Sequence, residues 1–201
     1  MMRESFQTQL ERLQGDIVKM GSLVEEAIAQ ATEALAHKDA VLAQRVIDGD
    51  DLIDDMQHEI EESSLHMLAL QQPMARDLRV ISTALKIITD LERIGDEAEN
   101  VAKVAIRIKD QPFIKPLIDV PRMSEIARQM LHDSLDAYVR RGTSAAHELT
   151  HRDDEVDHLY SQVLRELLTF MLEDPKTIEQ GMELLLVARY IERMADHVTN
   201  I

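Results

Sequence analysis

The amino-acid sequence predicts an all-α protein built as two tandem three-helix bundles. Three observations point that way. Apolar residues recur at three- and four-residue spacing, as in Leu10, Leu13, Ile17, Met20, Val24, Ile28, Ala31 and Leu35, and no stretch alternates as a half-buried strand would. Only six glycines and five prolines interrupt the 201 residues. The second half of the chain repeats the first, charged residues included.

The elements follow in order. Helix 1 is expected over 4–37, on the apolar row just given. Asp39 reads as an N-cap, its carboxylate taking amides that no helical carbonyl reaches, and opens helix 2 over 39–71, where Gly49 is expected to loosen a turn. Pro73 marks the next break, and helix 3 covers 74–109. Pro112, Pro116 and Pro121 fall within ten residues, so 111–121 reads as a linker between bundles at 1–110 and 122–201. Helix 4 starts near Arg122 and helix 5 after Gly142. Asp174-Pro175 supplies a cap and a proline at the first helical position for helix 6. Helix 3 runs about eight residues past Val101, the counterpart of Ile201, so the last helix is expected to be incomplete at residue 201 and to continue in the natural protein.

Composition narrows the function. The net charge is −16, with 38 acidic against 22 basic residues, which disfavours nucleic acid and anionic lipid and favours cations and proteins as ligands. The absence of cysteine removes disulfides, thiolate metal sites and cysteine nucleophiles, and suits a cytoplasmic location. No apolar run approaches the roughly 18 residues that would cross a bilayer, so no direct membrane insertion is expected. The glycines are too dispersed for a phosphate-cradling loop, which argues against a nucleotide enzyme.

The repeat carries the chemistry. With a shift of 103, residues 20–54 align to 123–157 without a gap, and Asp50, Asp51 and Asp54 fall on Asp153, Asp154 and Asp157. With a shift of 100, residues 85–101 align to 185–201, and Glu92, Arg93, Asp96 and Asn100 fall on Glu192, Arg193, Asp196 and Asn200. Each half therefore holds two carboxylate pairs one helical turn apart. Like charges so placed repel by roughly 0.2–0.5 kcal/mol a pair, and four brought together raise the cost of ionising each. A hard multivalent cation with oxygen ligands, such as magnesium, manganese, calcium or ferric iron, would neutralise them, and four carboxylates can hold more than one ion. Zinc is less favoured without cysteine or paired histidine.

A helical wheel puts Glu92, Asp96 and Asn100 at or beyond the edge of the apolar arc of helix 3, so a metal would lie on the bundle surface. The competing reading is a solvated acidic face with Arg93 and Arg193 as ordinary ion-pair partners, and recurrence in both halves weighs against it. His197, beside Asp196, is a further candidate at the second cluster. Glu155 and His158 match the Glu-x-x-His spacing of di-iron bundles, but no second copy exists and the match is taken as chance.

Asp77-Leu78-Arg79, then Asp90-Leu-Glu-Arg-Ile-Gly-Asp96, with Ile191-Glu-Arg-Met-Ala-Asp-His197 as a second copy, resemble the PhoU family over essentially the whole chain. The resemblance implies a cytoplasmic, commonly homodimeric protein of two three-helix bundles that damps phosphate uptake. It further implies a negative regulator of the phosphate-starvation regulon, linking the ATPase subunit of the phosphate-specific ABC transporter to a sensor histidine kinase. It implies iron, zinc, manganese or magnesium at (Glu/Asp)-x-x-x-Asp motifs, which fall here on Asp50, Asp54, Glu92, Asp96, Asp153, Asp157, Glu192 and Asp196, with Arg93, Asn100, Arg193, His197 and Asn200 as accessory candidates. Glu97 departs from the pattern, since the family often has histidine there, as at His197, and the two sites are expected to differ in metal preference. A carboxylate-bridged metal enzyme and a metal-free helical scaffold are the alternative functions. The enzyme is ranked below the regulator, because the wheel places the carboxylates outside the core.

Overall fold

The computed structural model describes residues 2–71, 73–140 and 146–201, and among them it is helical throughout apart from turns and one linker. The helices are α1 (Met2–His37), α2 (Ala40–Gln71), α3 (Ala75–Ile108), α4 (Asp119–Arg140), α5 (Ala146–Glu173) and α6 (Ile178–Val198). Asp39 caps α2, its Oδ1 accepting the amides of Val41 and Leu42 at 2.9 and 3.0 Å. Asp174 accepts the Lys176 amide at the start of a 3₁₀ turn, Pro175–Thr177, that leads into α6. α2 runs unbroken through Gly49, which corrects the expected loosened turn: one glycine costs about 1 kcal/mol of helix propensity, less than the packing of Val46 and Ile53 on either side supplies. Pro121 lies inside the first turn of α4, not in the linker, because a helix's first amides need no carbonyl and proline lacks that donor. The expected helix start after Gly142 falls outside the described residues.

α1–α3 pack as one bundle and α4–α6 as the other, each around the buried rows that the 3.6-residue period selects. The bundles join through α1 against α4 and α3 against α6. Both pairs are antiparallel: along α3 the residues Asp90, Glu97 and Arg107 meet Asn200, Arg193 and Glu183 in descending order on α6. Across α1 and α4, Glu25 meets His132 and Thr32 meets Ser124. Helices α2, α3, α6 and α5 therefore lie side by side in that order, with α1 and α4 beneath them. Antiparallel packing sends the α2–α3 and α5–α6 turns to opposite ends of the molecule.

The linker is held down at several points. Lys38 adopts a left-handed backbone (φ 57°) just past α1, a conformation costing a non-glycine residue about 1 kcal/mol. That turn lets its ammonium donate to the Gln111 carbonyl and stand 4.2 Å over the Phe113 ring. Gln180, buried in α6, accepts the Ile114 amide at 2.7 Å and donates to the Pro112 carbonyl at 2.9 Å. Lys115 binds both Asp119 and Glu166. No helix among the described residues is long and apolar enough to cross a membrane.

Candidate functional site

The two acidic clusters form where the outer helix of each bundle meets its neighbour. In the first, Gly95 removes a side chain from the contact between α2 and α3: a Cβ there would stand 3.2 Å from both Asp50 Oδ1 and Ile53 Cδ1. Asp50 is thus pressed against the α3 backbone. Burial, followed by the charges of Glu99, Asp54 and Asp96 and opposed by Lys103, lifts its pKa from 3.8 to about 7. Asp54 is raised by burial and then by Asp96. Glu92 is raised by burial and then by Asp96, against Arg93. Arg93 donates to Asp96 Oδ2 at 3.1 Å and brings its Nε to 3.3 Å from Glu92 Oε2 without hydrogen-bond alignment, so that buried oxygen has no hydrogen bond.

The second cluster repeats the arrangement between α5 and α6. Asp153 is raised by burial and then by Asp157 and Asp196. Glu192 is raised by burial and then by Asp196, against Arg189, with Asp157 and Asp153 adding to it. Its Oε1 takes the Arg189 guanidinium, and its Oε2 is buried with no hydrogen bond. Asp157 and Asp196 are exposed. The same glutamate oxygen thus lacks a hydrogen bond at the same place in both bundles, although Glu92 Oε2 keeps the Arg93 guanidinium beside it. An unpaired, desolvated carboxylate oxygen costs several kcal/mol unless a cation or proton meets it.

All eight sequence-selected carboxylates fall in these two grooves. Glu192 is more deeply buried, at 8% exposed, than a position beyond the apolar arc suggests. The accessory candidates divide. Arg93 stays with its own cluster. Arg193 instead reaches across the bundle interface to the nearly buried Glu97, 2.7 Å away. His197 and Asn200 bind Asp90 of α3 at 2.9 and 3.2 Å, and Asn100 hydrogen-bonds Glu97. The repeat explains the asymmetry. An exact two-fold would set Arg93 against His197, two groups able to carry positive charge, so Arg93 turns back on Glu92 and Asp96 while His197 takes Asp90.

Sequence reasoning missed Glu99, which faces Asp50 and pairs with Lys103. The row Glu92, Asp96, Glu99 follows the helical period and marks it, but its counterpart is Thr199, so it does not recur in the second half. Glu155 pairs with Arg122 at 2.6 Å and His158 bonds its own helix at the Asp154 carbonyl, so neither belongs to a cluster.

The donors are hard carboxylate oxygens, two of them buried without a hydrogen bond, which fits a hard cation. As the side chains stand, no three His, Asp or Glu groups among the described residues converge on one point as ligands. A cation held by these groups would require carboxylates to turn inward from these positions.

Known proteins resemble this chain over its length. The family model described as "PhoU domain" matches residues 17–105 and again 120–201. A phosphate-specific transport system accessory protein PhoU homolog of Aquifex aeolicus is 46% identical over 92% of this chain and 84% of its own. A homolog so named from Clostridium acetobutylicum is 42% identical over 100% of this chain and 92% of its own. The crystal structure of PhoU from Pseudomonas aeruginosa superposes with a TM-score of 0.93 at 37% identity, covering 97% of this chain and 94% of that one. That of the phosphate transport system regulatory protein PhoU from Streptococcus pneumoniae gives 0.89 at 29% identity, over 97% and 92%.

Proposed function

The chain belongs to the PhoU domain family, and from that premise we propose that it is an accessory regulator of phosphate transport whose two acidic grooves bind hard multivalent cations. The relatives' names support the role in a phosphate transport system. The proposed action is negative regulation of the phosphate-starvation response from the cytoplasmic face, through contact with the transporter's ATPase subunit and a sensor histidine kinase.

The observation that carries the cation reading is the buried glutamate oxygen without a hydrogen bond at both Glu92 and Glu192, each among further carboxylates whose charges raise its pKa. Iron, manganese, magnesium or zinc would be held by Asp50, Asp54, Glu92 and Asp96 in one groove and by Asp153, Asp157, Glu192 and Asp196 in the other. The bound ion would supply positive charge that lets the carboxylates ionise together. The reading is regulatory and not catalytic because Asp157 and Asp196 stand in an open groove, whereas carboxylate-bridged enzymes enclose their substrate.

Two measurements test the two halves of this reading. Elemental analysis of protein purified without chelator should give stoichiometric metal that Asp96→Ala combined with Asp196→Ala removes; unchanged content would overturn the cation site. Deleting the gene should leave phosphate-starvation genes expressed in phosphate-rich medium, and normal repression in the deletion strain would overturn the regulatory role.

A further inference from the structure

The outer grooves of the two bundles lead away from the carboxylates along matching rows. On α5 the row runs from Asp153 and Asp157 through Ser161 and Leu164 to Leu168 and Leu172, and on α6 from Asp196 through Arg193 and Arg189 to Leu186, Met182 and Ile178. The two helices touch along this stretch, since a Cβ at Gly181 would meet Met171 at 2.8 Å and the Arg189 guanidinium lies 5.9 Å from the Tyr160 ring.

Leu168, Leu172, Ile178, Met182 and Leu186 are between 38% and 84% exposed, so five large apolar side chains at i, i+4 spacing form one uncovered strip toward the α5–α6 turn. The first bundle exposes Leu65, Leu70, Met74 and Leu78 around its own turn but has Ala69, Ser82 and Lys86 where the second has Leu172, Met182 and Leu186, so its row along the two helices is interrupted. The strip is therefore not a requirement of the fold. The turn at its end carries Glu173, Asp174 and Glu179 against Lys176, all exposed.

We propose that this strip docks one amphipathic helix of a protein partner, with its apolar face on the five side chains and a basic end over Glu173, Asp174 and Glu179. Residues 178–189 span about 17 Å at 1.5 Å per residue, the length of roughly three turns of a partner helix. Charge selects the occupant. A two-fold contact between copies of this chain would bring the acidic turn against either the same turn or the far end of the strip, where Arg189 and Arg193 are already paired with Glu192 and Glu97 and the carboxylate cluster follows, and anionic lipid headgroups would meet the acidic turn's repulsion. This surface is independent of the cation reading, because it uses none of the eight cluster carboxylates.

The test uses the full chain and a three-turn helical peptide with leucine at i, i+4 and i+8 and lysines at one end. Controls carry the leucines in scrambled order or glutamate in place of lysine. Anisotropy titration should show one site per chain, weakened about tenfold by Met182→Ser combined with Leu186→Gln, a change that leaves the net charge alone. Leu168→Gln should weaken it in the same direction. Both variants alter solvent-facing residues, and an unchanged thermal melt by circular dichroism confirms that each is folded. Hydrogen exchange should place protection on 164–189 and spare 61–86. Equal binding of the scrambled or glutamate peptide, undiminished binding by folded variants, or protection spread over both grooves would overturn the proposal. So would self-association, or capture by phosphatidylglycerol vesicles, that the double variant abolishes.

Discussion

Gly95 in α3 and Ala195 in α6 occupy equivalent places a hundred residues apart, and the aspartates beside them differ accordingly. Without a Cβ at 95, α2 comes close enough for Asp50 to lie on the α3 backbone, with Glu99 adding a further negative charge. Beside the buried Ala195, Asp153 is also raised, but to a lesser degree, and Thr199 stands where Glu99 would be. One methyl group, one carboxylate and the arginine partners thus separate two sites that share their eight repeated carboxylates. Duplication preserved the core and the eight carboxylates, while the intervening positions diverged.

The comparison breaks most visibly where the bundles are interchangeable. Leu91 and Ile191 are equivalent and both fully buried. Leu91→Ala and Ile191→Ala should each cost about 2–5 kcal/mol in chemical denaturation, the range for a buried aliphatic side chain whose cavity only partly collapses. Losses differing by more than that range would show that one bundle's core is looser than its burial suggests.

A smaller effect separates the two clusters by pH. In metal-free protein the folded state holds a proton on Asp50 up to about pH 7, whereas the unfolded chain releases it near 3.8. Folding therefore carries no penalty from this group below the lower value, loses stability as pH rises between the two, and bears the full penalty above about 7. Asp50→Asn should flatten that decline and stabilise the metal-free protein at pH 7.5, and Asp153→Asn should do the same more weakly. Denaturation midpoints at a series of pH values, with chelator present, decide this. A wild-type curve that climbs from pH 4 to 7 as much as that of Asp50→Asn would contradict the assigned shift.

Much of the fold could be read from local chemistry. Asp39, Asp174-Pro175 and Pro73 act within a few residues of themselves, so helix ends near them were legible, and the 3.6-residue period exposed the buried rows. The carboxylate set was legible because it recurs. Pro121 misled because a proline in a first turn and a proline in a linker look alike in sequence. The interface was not legible: Glu97 with Arg193, Asp90 with His197 and Arg107 with Glu183 join residues 76 to 107 apart, and an ion pair leaves no periodic trace in either partner. The exposed strip on α5 and α6 fits the same lesson. Its spacing matches that of a core face, and only the packed structure reveals that nothing covers it.

The finest test moves the first groove toward the second. Gly95→Ala supplies the methyl that position 195 already has. Alanine in a helix interior is favoured over glycine by about 1 kcal/mol. Against this, the new Cβ would press on Asp50 Oδ1 and Ile53 Cδ1, each 3.2 Å away, and both must retreat by a few tenths of an ångström. The two effects are of similar size and opposite sign, so the net change in stability should stay within about 1 kcal/mol. The carboxylate should respond more clearly than the fold. Displaced toward solvent, Asp50 should titrate below its present value of about 7, in the direction of Asp153, when its side-chain carboxyl is followed by NMR in metal-free protein. If the midpoint does not move, the approach permitted by Gly95 is not what raises it. Glu99→Gln, which removes the largest neighbouring charge, should then lower it instead.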